Sequence, residues 1–109
     1  KILNSRGIEV LVIANEFGKV DLPKLFAHLA QERHMNEIHI EAGFKLNGSM
    51  LREGCVDELL LYYAPFFMSE GIGMANISPL NALQDRQDWK IIDNSMVGSD
   101  LRLRLTKIK

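Results

Sequence analysis

Cysteine is almost missing from this chain: Cys55 stands alone among 109 residues. One thiol cannot form an internal disulfide and offers no thiolate pair for a structural zinc, so a disulfide scaffold is excluded and a reducing, cytoplasmic setting is expected. An excess of positive charge is missing too. Thirteen Lys and Arg oppose 14 Asp and Glu, for a net charge of −1, which leaves nothing to condense on a phosphate backbone; no nucleic-acid partner is expected. No apolar run approaches the ~20 residues of a membrane span, and no signal peptide is visible, so no membrane partner is expected. A G-x-G-x-x-G fingerprint after a first strand is also lacking, which argues against a generic dinucleotide-binding domain. With 47% hydrophobic and 25% charged residues, the composition is that of one soluble globular domain.

The chain opens on Lys1-Ile2-Leu3-Asn4-Ser5-Arg6-Gly7, with no initiator methionine. This is the pattern of a helix's last turn closed by glycine, so the expectation is a fragment of a longer chain. Ile8 to Ala14 follows as a nearly continuous, β-branched apolar run, the signature of a central strand covered on both faces. Asp21 then stands as a helix N-cap with Pro23 in the first turn, and Leu22, Leu25, Phe26 and Leu29 form one apolar helical face. A second strand is predicted over Glu37 to Glu41, a second helix over Phe44 to Glu53 interrupted by Gly48 and closed by Gly54, and a third strand over Leu59 to Ala64 ending at Pro65. Such alternation implies parallel neighbours joined by right-handed crossovers. Met68 to Gln87 reads as a loop with one short helix near Leu80 to Asp85, and Trp89 to Val97 pairs with the alternating Leu101-Leu103-Leu105 run through Gly98-Ser99 as an antiparallel hairpin.

Chemistry points to the turn Glu41-Ala42-Gly43, where a strand hands over to a helix at the carboxyl edge of a sheet. Ligands of open α/β sheets bind at that edge, and a glycine lets a phosphate approach N–H groups at the positive end of the helix. Asn47 and Ser49 add short polar side chains one turn on. Glu41 has two readings, a carboxylate that caps the helix or one that accepts hydrogen bonds from substrate hydroxyls, and a single carboxylate makes no acid/base pair. His28, His34 and His39 are scattered over helix, connection and strand, which does not make a metal set, and Cys55 has no base beside it. Arg102, Arg104, Lys107 and Lys109 are read as a solvated row along the last strand.

Four stretches, taken in order, resemble the reductase domain of the bifunctional riboflavin-biosynthesis deaminase/reductase. They are Val20-Asp21-Leu22-Pro23; Asn36-Glu37 leading to Glu41-Ala42-Gly43 and Gly48-Ser49; Val56-Asp57-Glu58-Leu59-Leu60-Leu61-Tyr62 with Ala64-Pro65; and Gly98-Ser99-Asp100-Leu101-Arg102-Leu103. The resemblance spans essentially the whole chain but only the C-terminal half of that domain. It departs after Pro65, where Phe66-Phe67-Met68-Ser69 stand in place of the family's usual Leu-Gly.

The resemblance implies a dihydrofolate-reductase-like α/β fold, here a partial domain: a mixed sheet of parallel strands with crossover helices and a C-terminal antiparallel hairpin. It implies that NADP(H) delivers hydride to the phosphoribosyl group of 5-amino-6-(5-phosphoribosylamino)uracil, yielding a ribityl chain, and that the protein is a homodimer. By position, Glu41 matches the acidic residue that contacts substrate, and Gly43, Phe44, Lys45, Leu46, Asn47, Gly48 and Ser49 match the loop and helix start that hold the cofactor's phosphates. No proton donor is assigned. The deaminase's H-x-E and P-C-x-x-C zinc ligands have no counterpart in the chain, so no metal is assigned either. The competing expectation is a non-catalytic dimerisation and scaffold module whose interface is an uncovered edge at Leu101-Leu103-Leu105.

Overall fold

The computed structural model describes residues 1–108, and the chain divides into two compact units, Lys1–Ile40 and Glu41–Lys109.

The first unit opens with helix α1 (Ile2–Ser5). Gly7 follows in the left-handed region at φ +79° and lets the Ile8 N–H donate to the Leu3 carbonyl at 3.0 Å, the glycine-closed turn expected from the sequence. Helix α2 (Leu22–Gln31) starts where Asp21 and Pro23 predict it: the Asp21 carboxylate accepts the Lys24 N–H at 3.1 Å. It ends at Gln31 with Glu32 as its C-cap, and His34, three residues past the last helical residue, is the only non-glycine among the described residues with positive φ. Leu22 is the buried member of its apolar face.

The strand predicted over Ile8 to Ala14 is not part of any ladder. Its one pairing is an isolated antiparallel bridge between Ala14 and Val20, across a turn in which the Asn15 side chain accepts the N–H groups of Phe17 and Lys19. Residues 37–41 carry no strand pairing either. The physical reason is the same in both places: a strand exists through its neighbours, and these runs have none to complete their backbone hydrogen bonds. Val12, with 88% of its surface exposed, shows how little covers the first run.

The second unit is a mixed α/β arrangement of one helix and a three-stranded antiparallel sheet. Helix α3 (Phe44–Arg52) closes at Gly54, φ +68°, with the Cys55 N–H donating to the Met50 carbonyl at 3.0 Å. Strands β1 (Glu58–Tyr63), β2 (Trp89–Val97) and β3 (Asp100–Lys107) lie in the order β1-β3-β2. The β2–β3 hairpin forms as predicted, around Gly98 at φ +61°. The short helix expected near Leu80 to Asp85 contracts to a single 3-10 turn, Leu83–Asp85.

Two expectations are corrected here. The strand at Leu59 to Ala64 pairs antiparallel with β3 instead of lying parallel to earlier strands, and among the described residues no parallel pair is formed. The Leu101-Leu103-Leu105 run is not an edge, because β3 is the middle strand with partners on both sides. Strand alternation puts these leucines on one face with Leu59, Leu61 and Ile91, and Arg102 and Arg104 on the other. On that second face Arg104 pairs with Glu58 at 2.9 Å and Arg102 with Asp93 at 3.7 Å. Lys107 falls in register with the leucines, so it leaves the predicted basic row, and Lys109 lies outside the described residues.

Candidate functional site

Helix α3 begins on a residue with no side chain. Gly43 is its N-cap, in extended backbone at φ −92° and ψ −174°, so the cap itself offers no acceptor to the first-turn N–H groups. A Cβ built on Gly43 would meet nothing within 4 Å. Glu41, two residues ahead, is exposed, as are Lys45 and Leu46. Gly43, Lys45 and Leu46 are thus exposed at the start of α3, with Phe44 half-buried among them, and the turn carries the partial positive charge of a helix start and one lysine.

The remainder of the predicted segment turns inward. The Asn47 side-chain amide donates to the Met74 carbonyl at 2.8 Å and to the Ala42 carbonyl at 3.3 Å. Ser49 Oγ donates to the Lys45 carbonyl at 3.2 Å and accepts from Arg52 at 3.1 Å. Gly48 is buried, and a Cβ there would stand 2.7 Å from the backbone nitrogen of Asn76. The seven residues therefore divide into an exposed half, Gly43, Lys45 and Leu46, and an inward half, the half-buried Phe44 with Asn47 to Ser49.

What engages the second half is a strap, residues 73–76, drawn across α3. The Phe44 ring lies 3.7 Å from where a Cβ would stand on Gly73, the Asn76 N–H donates to the Phe44 carbonyl at 3.0 Å, and Arg52 donates to the Asn76 carbonyl. Sequence reading placed these residues in a loop and gave Arg52, Met74 and Asn76 no part in the site. One signal did exist: Gly48 in the middle of a helix marks a place where another backbone comes close.

A separate cleft of about 450 Å³ opens among Leu51, Leu59, Ile77, Leu80 and Trp89, and none of its lining residues belongs to residues 41–49. Three of its polar neighbours are engaged: Asp85 accepts the Ala82 N–H, Arg86 pairs with Asp88, and Gln87 donates to the Leu51 carbonyl. Among the described residues, no three His, Cys, Asp or Glu side chains come together to hold a metal ion, and no helix is long and apolar enough to cross a membrane.

The second unit thus combines a glycine-led helix start with a three-stranded sheet in a mixed α/β arrangement. The chain belongs to the RibD C-terminal domain family, whose model matches residues 2–107. It is 34% identical over 99 residues to the riboflavin biosynthesis protein RibD of Escherichia coli K12, a match covering 90% of this chain and 27% of that protein. A relative from Buchnera aphidicola (subsp. Acyrthosiphon pisum), the 5-amino-6-(5-phosphoribosylamino)uracil reductase, is 29% identical over 92 residues, covering 84% of this chain and 44% of the relative. Among solved structures, form 2 of Acinetobacter baumannii RibD matches with a TM-score of 0.85 at 27% identity, over 98% of this chain and 28% of that one. The chain thus spans about a quarter of the RibD proteins it matches.

Proposed function

We propose that this chain is the C-terminal portion of a reductase domain that uses NADPH to reduce the phosphoribosyl group of 5-amino-6-(5-phosphoribosylamino)uracil to a ribityl chain in riboflavin biosynthesis. Family membership supports the reaction class, and the relative named as the reductase of that compound supports the substrate. The observation that carries the site is Gly43: an N-cap with open space where a side chain would be, two residues after an exposed glutamate.

In this reading the backbone N–H groups of Phe44, Lys45 and Leu46 hold the cofactor's phosphates, with Gly43 permitting close approach and Lys45 adding charge. Asn47, Gly48 and Ser49 serve the same site from within, since their polar or close-packing atoms are spent on the protein. Glu41 accepts hydrogen bonds from the substrate. NADPH, when bound, supplies the hydride; the protein binds and orients the reactants. The parallel strands implied by the family resemblance, Ile8 to Ala14 and Glu37 to Glu41, form once the rest of the domain provides their neighbours. A cytoplasmic setting fits a soluble biosynthetic reaction of this kind.

Self-association as a homodimer draws support from β2, an edge strand on which Ile91, Ile92, Met96 and Val97 are exposed. The scaffold reading shares that expectation, and nucleotide binding separates the two. Titrating the chain with NADPH, and with NADH alongside, while following nicotinamide fluorescence and solution mass, should give saturable binding that prefers NADPH. In the full-length reductase, Glu41→Gln should raise the KM for the pyrimidine about tenfold and leave that for NADPH within about twofold. NADPH left unconsumed by the full-length protein with this substrate would refute the assignment.

A further inference from the structure

Asn47 has a single amide group, and the structure spends its two N–H bonds on two separate stretches of chain. One carbonyl, Ala42, belongs to the turn that leads into α3; the other, Met74, belongs to the strap. Asn47 is half-buried between them. The strap is in turn fixed on the helix by the Asn76 N–H on the Phe44 carbonyl, by Arg52 on the Asn76 carbonyl and by the contact of Asn76 with Gly48.

From this we infer that Asn47 is a positioning residue for cofactor binding, which sets the Ala42–Gly43 turn by clamping it to the strap and does not itself touch the cofactor. The inference rests on the reading of Gly43 as the phosphate approach. A turn whose carbonyl is held at one end by an amide, with that amide held at its other end by a second carbonyl, has little freedom to rotate its N–H groups away from an anion. Losing the clamp leaves the N–H groups present but poorly aimed, and the precision of a preorganised site is what fails.

The test is made in the full-length reductase. Asn47→Ala removes both donors; Asn47→Asp keeps the shape and turns acceptors toward two carbonyls. Both should raise the KM for NADPH about tenfold while kcat and the KM for the pyrimidine stay within about twofold. Asn47→Ser keeps one short donor, should fall between, and remains informative if the harsher variants fail to fold. Leu103→Ala, in the middle strand, supplies a variant of lowered stability in which the KM for NADPH should not move, so that a general loss of stability is told apart from a loss of aim. Gly43→Ser is measured alongside. If Gly43→Ser weakens NADPH and folded Asn47 variants do not, the positioning role is overturned and the phosphate site stands. If neither weakens NADPH, both readings fall.

Discussion

Gly48 and Asn76 meet backbone to backbone: the strap crosses α3 at the one helical residue that has no side chain, and a Cβ there would sit 2.7 Å from the Asn76 nitrogen and 2.8 Å from its carbonyl carbon. In an open helix, Gly→Ala stabilises by about 1 kcal/mol through propensity. Here the obstacle is backbone, held in place by hydrogen bonds to Phe44 and Arg52, so it cannot swing aside as a side-chain tip would. Overpacking of this kind costs about 1 to 3 kcal/mol, and it wins over the propensity gain. Gly48→Ala should lower the urea midpoint with little change in slope; a raised midpoint would show that the strap yields.

Gly43, five residues earlier in the same motif, should behave in the opposite way. Its backbone is extended and its missing side chain faces open space, so serine fits without a clash. Serine is also a preferred N-cap whose hydroxyl can accept a first-turn N–H, which keeps or raises stability by a few tenths of a kcal/mol. That same hydroxyl takes a donor and the space that a phosphate needs. Gly43→Ser should therefore leave the thermal midpoint unchanged or higher while weakening NADPH about tenfold by nicotinamide fluorescence. Equal NADPH affinity in the serine variant would remove the phosphates from this turn.

Which parts of the fold were legible follows from where their causes lie. Asp21 with Pro23, and Gly54 after α3, act on hydrogen bonds within a few residues, so the start of one helix and the end of another could be read directly. The hairpin was legible for the same reason, since Gly98 and the alternating leucines set its register locally. Strand partners are a different matter. An apolar run such as Ile8 to Ala14 states a wish for cover but not what supplies it, and the placing of β3 between β1 and β2 depends on contacts over forty residues apart, such as Leu61 with Leu103. The helix start capped by Gly43 in the candidate site was legible for the same local reason. The inward half was not, because no periodicity tells which residue of a Gly- and Asn-rich loop will rest on Gly48.

Across the sheet, Glu58 of β1 and Arg104 of β3 make a two-pronged pair, Nε to Oε1 at 2.9 Å and a second guanidinium nitrogen to Oε2 at 3.3 Å. The hydrogen bond from Arg104, with its charge adding to it and burial opposing it, holds the Glu58 carboxyl below the ordinary glutamate value of 4.5. A carboxyl whose folded-state value lies below its unfolded one binds protons more readily when unfolded. Its stabilisation is therefore fully present above that unfolded value and is lost as the pH falls through the folded one. The guanidinium stays charged throughout this range, so the titration seen is that of Glu58 alone. Glu58→Gln should consequently lower the urea midpoint at neutral pH, and the gap between variant and parent should close as the pH falls through the folded-state value of the carboxyl, below which the parent's Glu58 is protonated as well. Because the pair is solvent-exposed, raising the salt to about 1 M at neutral pH should shrink the same gap. A gap of equal size at neutral and acid pH would mean that the substitution acts on packing across β1 and β3 and not on the charge.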